Sequence, residues 1–117
     1  LKDMEDINWC GFYLARNDEL YLGPFQGDVA CTIIKFGKGV CGTSALTRKT
    51  LVVPNVHEFP GHIACSSLSK SEIVVPIITG NDVVGVIDID SPIYNRFTEN
   101  DKKELEEIAN FIAPLFK

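Results

Sequence analysis

A chain of 117 residues suits one compact domain, 1–117, long enough to bury a real core and too short for two ordinary ones. With 45% apolar and 23% charged residues it reads as globular, not disordered. A formal charge of -5 with no basic cluster argues against nucleic acid or an anionic membrane as partner, and points to a cationic or zwitterionic ligand. No apolar run approaches the roughly 20 residues of a membrane helix, and the stretch from Leu1 to Asp6 is no signal peptide. A cytoplasmic protein is expected, and the absence of an initiator Met suggests a fragment or ordered core with residues missing upstream. Cys10, Cys31, Cys41 and Cys65 could staple a secreted fold. In a reducing compartment they read instead as catalytic, redox or metal-binding.

In chain order the sequence mostly spells strands. Asn8 to Ala15 is apolar on both alternating sets, Trp9/Gly11/Tyr13 and Cys10/Phe12/Leu14, as in a central strand covered on two faces. Arg16-Asn17-Asp18-Glu19 is a polar turn into a second strand, Leu20 to Leu22, which Gly23-Pro24 should cut short. Val29 to Phe36 is a third apolar run with Cys31 near its start. Gly37-Lys38-Gly39 is not a phosphate loop, because Gly37 and Gly42 are followed by Thr43-Ser44 with no lysine in place. Val40 to Arg48 is a short helix with small residues on one side, and Thr50 to Val53 a short strand ended by Pro54.

From Asn55 to Ser71 apolar periodicity is lost, and a loop of this length inside a compact domain is usually functional or disordered. Its wealth of specific side chains favours function. Within it Gly61 to Ser71 carries Cys65 among small hydroxyl residues and runs into an apolar strand, a setting that can hold a sulfur exposed yet fixed. An ordinary surface loop with a half-buried cysteine fits the same composition.

Ile73 to Ile78 and Val83 to Ile89 form the strongest strand pair, joined at Gly80-Asn81. Pro76 lacks an amide donor, so its strand should be an edge or carry a bulge. Thr98-Glu99-Asn100-Asp101 reads as an N-cap box for a helix whose apolar face is Leu105, Ile108, Ala109 and Ile112, ended or kinked by Pro114. The fold class is α+β, an antiparallel sheet of five or six strands with packed helices.

Asp88 and Asp90 lie two apart on a strand and share a face, with Val84 and Val86 expected before them on the same side. Acids at the end of a core face ionise only at a cost unless a cation or shared proton compensates. A strand end fraying into solvent is the plainer reading. A three-residue hairpin loop, Gly80-Asn81-Asp82, would put Glu72 opposite Asp90 on that face; a two-residue loop would send it to the other face. Three converging carboxylates would bind an ammonium group, and their repulsion would keep one protonated as an acid. Cys65, seven residues before Glu72, would supply a nucleophile, and Trp9 an apolar wall.

Asn8-Trp9-x-Gly11-Phe12-Tyr13, Leu22-Gly23-Pro24-Phe25-Gln26-Gly27, Ala30-Cys31, Gly37-x-Gly39-Val40-Cys41-Gly42, Val56-His57-x-Phe59-Pro60-Gly61-His62-Ile63-Ala64-Cys65, Ser69-x-Ser71-Glu72-Ile73-Val74-Val75-Pro76 and Asp88-Ile89-Asp90-Ser91 together closely resemble the free methionine-(R)-sulfoxide reductases, a GAF-fold family. The resemblance spans nearly the whole chain. It implies a single GAF-like catalytic domain that reduces free methionine (R)-sulfoxide but not the same group in proteins. Cys65 then corresponds to the catalytic cysteine, Cys31 to the principal resolving one, and Cys41 to a third that forms an alternative disulfide. Glu72, Asp88 and Asp90 correspond to the substrate-site carboxylates, Trp9 to the aromatic wall, and Cys10 to packing.

Three departures stand out: Ser66 and Pro54 where the family usually has Asp, and an absent N-terminal helical segment. The first bears on the tuning of Cys65, the last on a homodimer interface. The implied cycle is attack of the Cys65 thiolate on the sulfoxide, a sulfenic acid, and a disulfide recycled by an external dithiol. That dithiol is thioredoxin, with NADPH through thioredoxin reductase, and no bound cofactor or metal is expected. Two rival readings are a non-catalytic GAF binding or redox-sensing module, and a zinc site from Cys31, Cys41 and Cys65 with His57 or His62. The second lacks any Cys-x-x-Cys or His-x-x-x-His spacing.

Overall fold

The computed structural model describes residues 6–27, 31–61 and 69–116. Six strands, β1 (Trp9–Arg16), β2 (Glu19–Gly27), β3 (Ile33–Lys35), β4 (Leu51–Val53), β5 (Ser71–Thr79) and β6 (Asp82–Ser91), form one sheet in the order β3-β2-β1-β6-β5-β4. Every neighbouring pair is antiparallel. Helix α1 (Gly39–Thr47) packs on one face with Trp9, Tyr13, Val74 and Val86, and α2 (Glu99–Ile112) on the other with Ile73, Ile77, Ile87 and Ile89. The expected α+β layering, with up to six strands, is therefore observed. No helix among the described residues is long and apolar enough to cross a membrane.

β1 is central in strand order, but its two faces are unequal. Trp9 and Tyr13 are buried under α1, Cys10 and Phe12 are half-buried on the opposite side, and Leu14 is exposed. The turn after it places Asn17 and Asp18 at φ 54° and 61°, the left-handed pair that a two-residue hairpin turn requires and that Asn and Asp tolerate.

Gly23-Pro24 does not end the second strand. β2 continues to Gly27 because Phe12 alone faces both Gly23 and Pro24, between the pairs Gly11↔Phe25 and Tyr13↔Leu22. A bulge of this kind accommodates a residue that cannot donate to the ladder. Pro76 is handled differently: β5 lies inside the sheet, but β4 pairs with it only through Val74, so beyond that point β5 is locally an edge.

The β5–β6 hairpin settles the register question by a third route. Its turn is the two-residue Gly80-Asn81, with Thr79 paired to Asp82, which corrects the three-residue loop on which the carboxylate cluster was expected to depend. Between Ile78↔Val83 and Ile77↔Gly85 the strand β6 carries one extra residue, Val84. That bulge restores the alternation a short turn would have reversed, so Glu72 pairs with Asp90 after all. It also sends Val84 to the α2 side while Val86 stays under α1, so Val84 does not share a face with the aspartates as expected.

α2 begins with a reciprocal capping box: the Thr98 hydroxyl accepts from the Asp101 amide and the Asp101 carboxylate accepts from the Thr98 amide. Leu105 and Ala109 are buried, but Ile108, expected on the same face, is 44% exposed. After Ile112 the chain tightens into a 3-10 turn, Ala113–Phe116, containing Pro114, and Phe116 packs on Phe12 with ring centroids 6.1 Å apart.

Candidate active site

Five strands align one transverse row of residues. The pairs Trp9↔Gly27, Trp9↔Asp90, Glu72↔Asp90 and Val53↔Glu72 set these residues side by side across the sheet, all on the face covered by α1. The next row contains Gly11, Asp88 and Val74. The sheet thus brings Trp9, Glu72, Asp88 and Asp90 to one buried face.

Trp9 is held as a slab. It stacks on Phe25 at 5.5 Å and on Tyr13 at 5.9 Å. A Cβ at Gly11 would come within 2.6 Å of the indole Cη2, so only glycine leaves room for the ring to lie along its own strand. The indole Nε1 is buried without a hydrogen-bond partner.

Cys41 is brought over the carboxylates by the start of α1. A Cβ at Gly42 would collide with the Lys35 carbonyl, and the Gly37 amide donates to the Gly42 carbonyl at 2.8 Å. These contacts press the first helical turn onto the end of β3. The Cys41 thiol donates to Glu72 Oε2 across 3.9 Å. One sulfur and two carboxylate oxygens, from Cys41, Glu72 and Asp88, lie within 4.8 Å of one another, all buried.

The electrostatics follow from putting three acids where water does not reach. Burial, then the charges of Asp88 and Asp90, push the Glu72 carboxyl well above the ordinary range. Burial, then Asp88, does the same to Asp90. Asp88 is also raised by burial, but hydrogen bonds from Glu72, Cys41 and Asp90 oppose the shift, so it is the member best able to carry charge. Cys41 is raised well above a normal thiol by burial and then by these acids, which keeps it protonated and makes it a donor rather than a thiolate nucleophile. Asp88 and Asp90 each retain one buried oxygen, Oδ1, without a partner. An ammonium would supply positive charge and donors to those two oxygens.

Cys31 is disulfide-bonded, whereas Cys10 and Cys41 are free thiols. Cys65, the expected nucleophile, and with it Ser66 and His62, lies outside the described residues. Cys10 packs in the α2-side core, as expected. His57 is exposed, its amide donating to the Asn55 side chain and its ring edge-on to Tyr94 at 6.4 Å. Among the described residues, the group of donors close enough to share a metal is Cys41, Glu72 and Asp88, without His57.

Tyr13 is the residue that sequence reasoning passed over. Its hydroxyl donates to the Cys31 carbonyl at 2.9 Å, and burial, followed by Cys41 and then the three acids, raises its pKa so that it stays a donor. The four-residue spacing from Trp9 already put both on one face of β1; the link to Cys31 needed the tertiary structure.

A GAF domain profile matches residues 4–114. The free methionine-R-sulfoxide reductase of Saccharomyces cerevisiae is 56% identical over 111 residues, covering 92% of this chain and 62% of the relative. That of Escherichia coli is 49% identical over 106 residues, covering 91% of this chain and 64% of the relative. The chain therefore spans somewhat less than two thirds of the length of these curated relatives. The X-ray structure of free methionine-R-sulfoxide reductase from Neisseria meningitidis, in complex with its substrate, superposes with a TM-score of 0.93 at 47% identity, covering 99% of this chain and 71% of that one. The chain belongs to the GAF domain family and, within it, to the free methionine-R-sulfoxide reductases.

Proposed function

We propose that this chain reduces free methionine (R)-sulfoxide to methionine by thiol chemistry in a reducing compartment such as the cytoplasm. The observation that carries the reading is the buried trio Glu72, Asp88 and Asp90 beside the Trp9 slab, with two carboxylate oxygens left unpartnered. The substrate's ammonium fills that deficit, and its methyl end lies against the indole. Glu72, held protonated by burial and then by its acidic neighbours, donates to the sulfoxide oxygen and makes the sulfur electrophilic.

The Cys65 thiolate attacks that sulfur and forms an S–S bond while the oxygen, protonated by Glu72 and by a second proton from solvent, leaves as water; water then attacks the Cys65 sulfur and breaks that bond, so Cys65 becomes a sulfenic acid and methionine leaves reduced. The Cys31 thiol then displaces water from Cys65 to close a disulfide, which thioredoxin reduces by exchange. Support for Cys31 as the partner is its disulfide-bonded state, with Cys10 and Cys41 free. Cys41 acts in this scheme as a hydrogen-bond donor to Glu72, and as the thiol of an alternative disulfide.

The test is NADPH consumption coupled through thioredoxin reductase and thioredoxin, with the separate R and S epimers of free methionine sulfoxide. Turnover with the R epimer alone is expected, and Cys65→Ser should abolish even the first methionine released. Stoichiometric binding of the R epimer without its reduction would instead make the chain a binding or sensing module.

A further inference from the structure

We propose that Cys41, Glu72 and Asp88 form a binding site for a thiophilic divalent cation of the zinc or cadmium type. The three donors come from α1, β5 and β6 and lie within 4.8 Å of one another. Closing them around an ion takes rotamer adjustments and no movement of the sheet, since the Cys41 Sγ to Glu72 Oε2 separation is already 3.9 Å. Asp88 is only 5% exposed, yet its Oδ1 has no hydrogen-bond partner. Asp90 Oδ1 is a further unpartnered oxygen on the same strand face. One thiolate with carboxylate oxygens suits borderline Zn²⁺ or softer Cd²⁺, whereas Mg²⁺ and Ca²⁺ call for oxygen-only shells. Such a cation replaces the thiol and carboxyl protons and neutralises the buried carboxylates. It occupies the carboxylates assigned to the substrate ammonium, so reversible inhibition by cation and competition with substrate follow; that consequence alone rests on the proposed function.

The experiment uses the full chain carrying Cys31→Ser and Cys65→Ser, which leaves Cys10 and Cys41 as its thiols, titrated with cadmium chloride. The ultraviolet cadmium–thiolate charge-transfer band and calorimetry are followed together. The expected result is one Cd²⁺ per chain with a saturating band, unchanged by Cys10→Ser and abolished by Cys41→Ser. Asp88→Asn should weaken binding at least about tenfold, no less than loss of a supporting contact around a metal does; if it fails to fold, Glu72→Gln carries the same expectation. A band that persists without Cys41, or no saturable binding by the folded background variant, overturns the site. In the unmodified chain, zinc chloride should raise the apparent KM for methionine sulfoxide and leave kcat unchanged. Cadmium binding that meets the cysteine criteria in a chain without reductase activity would uphold this site and overturn the functional reading.

Discussion

In the proposed mechanism Glu72 combines two demands that conflict at the level of a single side chain. Its carboxyl must stay protonated near neutral pH to serve as an acid, and the means of keeping it so is a buried position against Asp88 and Asp90, which destabilises the empty site. Glu72→Gln removes one acid from that repulsion while preserving shape. The ligand-free variant should gain about 0.5–2 kcal/mol in denaturant unfolding at pH 7, as relief of strained active sites commonly does. Its kcat should fall about 100-fold or more, the usual contribution of a positioned general acid. An unchanged kcat would move the proton donor elsewhere.

Tyr13 makes a different kind of prediction, because its hydrogen bond to Cys31 is to the backbone carbonyl and not to the sulfur. Tyr13→Phe removes a hydrogen bond of about 0.5–1.5 kcal/mol. The first methionine should still be released at the normal rate, and disulfide closure should slow by roughly 3–10-fold, read by trapping the sulfenic acid with a dimedone reagent. An unaltered sulfenic acid lifetime would reduce Tyr13 to packing.

At the scale of elements, two bulges decide whether these residues meet. The bulge opposite Phe12 carries β2 past Pro24 to Phe25 and Gly27, which flank Trp9, and the one at Val84 keeps Asp88 and Asp90 on the face of Glu72. The alternation of Val86, Asp88 and Asp90 was legible in the sequence, as were the strand pair and the three-acid cluster. Its register was not, because Gly80-Asn81 specifies a turn but carries no mark of an extra residue at Val84. Similarly, the spacing of Leu105, Ile108, Ala109 and Ile112 located α2 but drew its buried face too wide, since Leu105 and Ala109 are buried while Ile108 is 44% exposed.

The glycine motif around Cys41 was legible as unusual, but its use in seating α1 on Lys35 depends on the packing itself. Gly42→Ala should therefore cost about 1–3 kcal/mol, the range of overpacking in a dense core, and lower activity by lifting Cys41 off Glu72. Thr98→Ala, which removes the α2 cap on the far side of the sheet, should cost about 1 kcal/mol and leave kcat/KM within error. Equal effects of the two on activity would contradict the separation of a functional α1 face from a structural α2 face.

For the molecule as a whole, the three raised carboxyls couple stability and substrate affinity to pH in opposite directions. The folded state holds protons that the unfolded chain has released, so ligand-free stability falls as pH climbs from the ordinary carboxylate range through the raised values,. Ammonium binding favours the ionised acids, so KM should fall over the same interval until the loss of the Glu72 proton lowers kcat. Melting temperatures and steady-state kinetics between pH 5 and pH 9, about the span over which buried carboxyls titrate, check both slopes. A KM that rises with pH there would be inconsistent with a carboxylate–ammonium contact.

In the proposed mechanism the buried acids select the free amino acid by its charged amine. The most direct measurement is kcat/KM for free L-methionine (R)-sulfoxide against its N-acetyl derivative, under thioredoxin coupling at one pH. Leaving a buried acidic site without its cation costs on the order of 2–5 kcal/mol, so the acetylated compound should be poorer by at least about tenfold, with the difference shrinking in Glu72→Gln. Comparable kcat/KM for the two compounds would contradict the account.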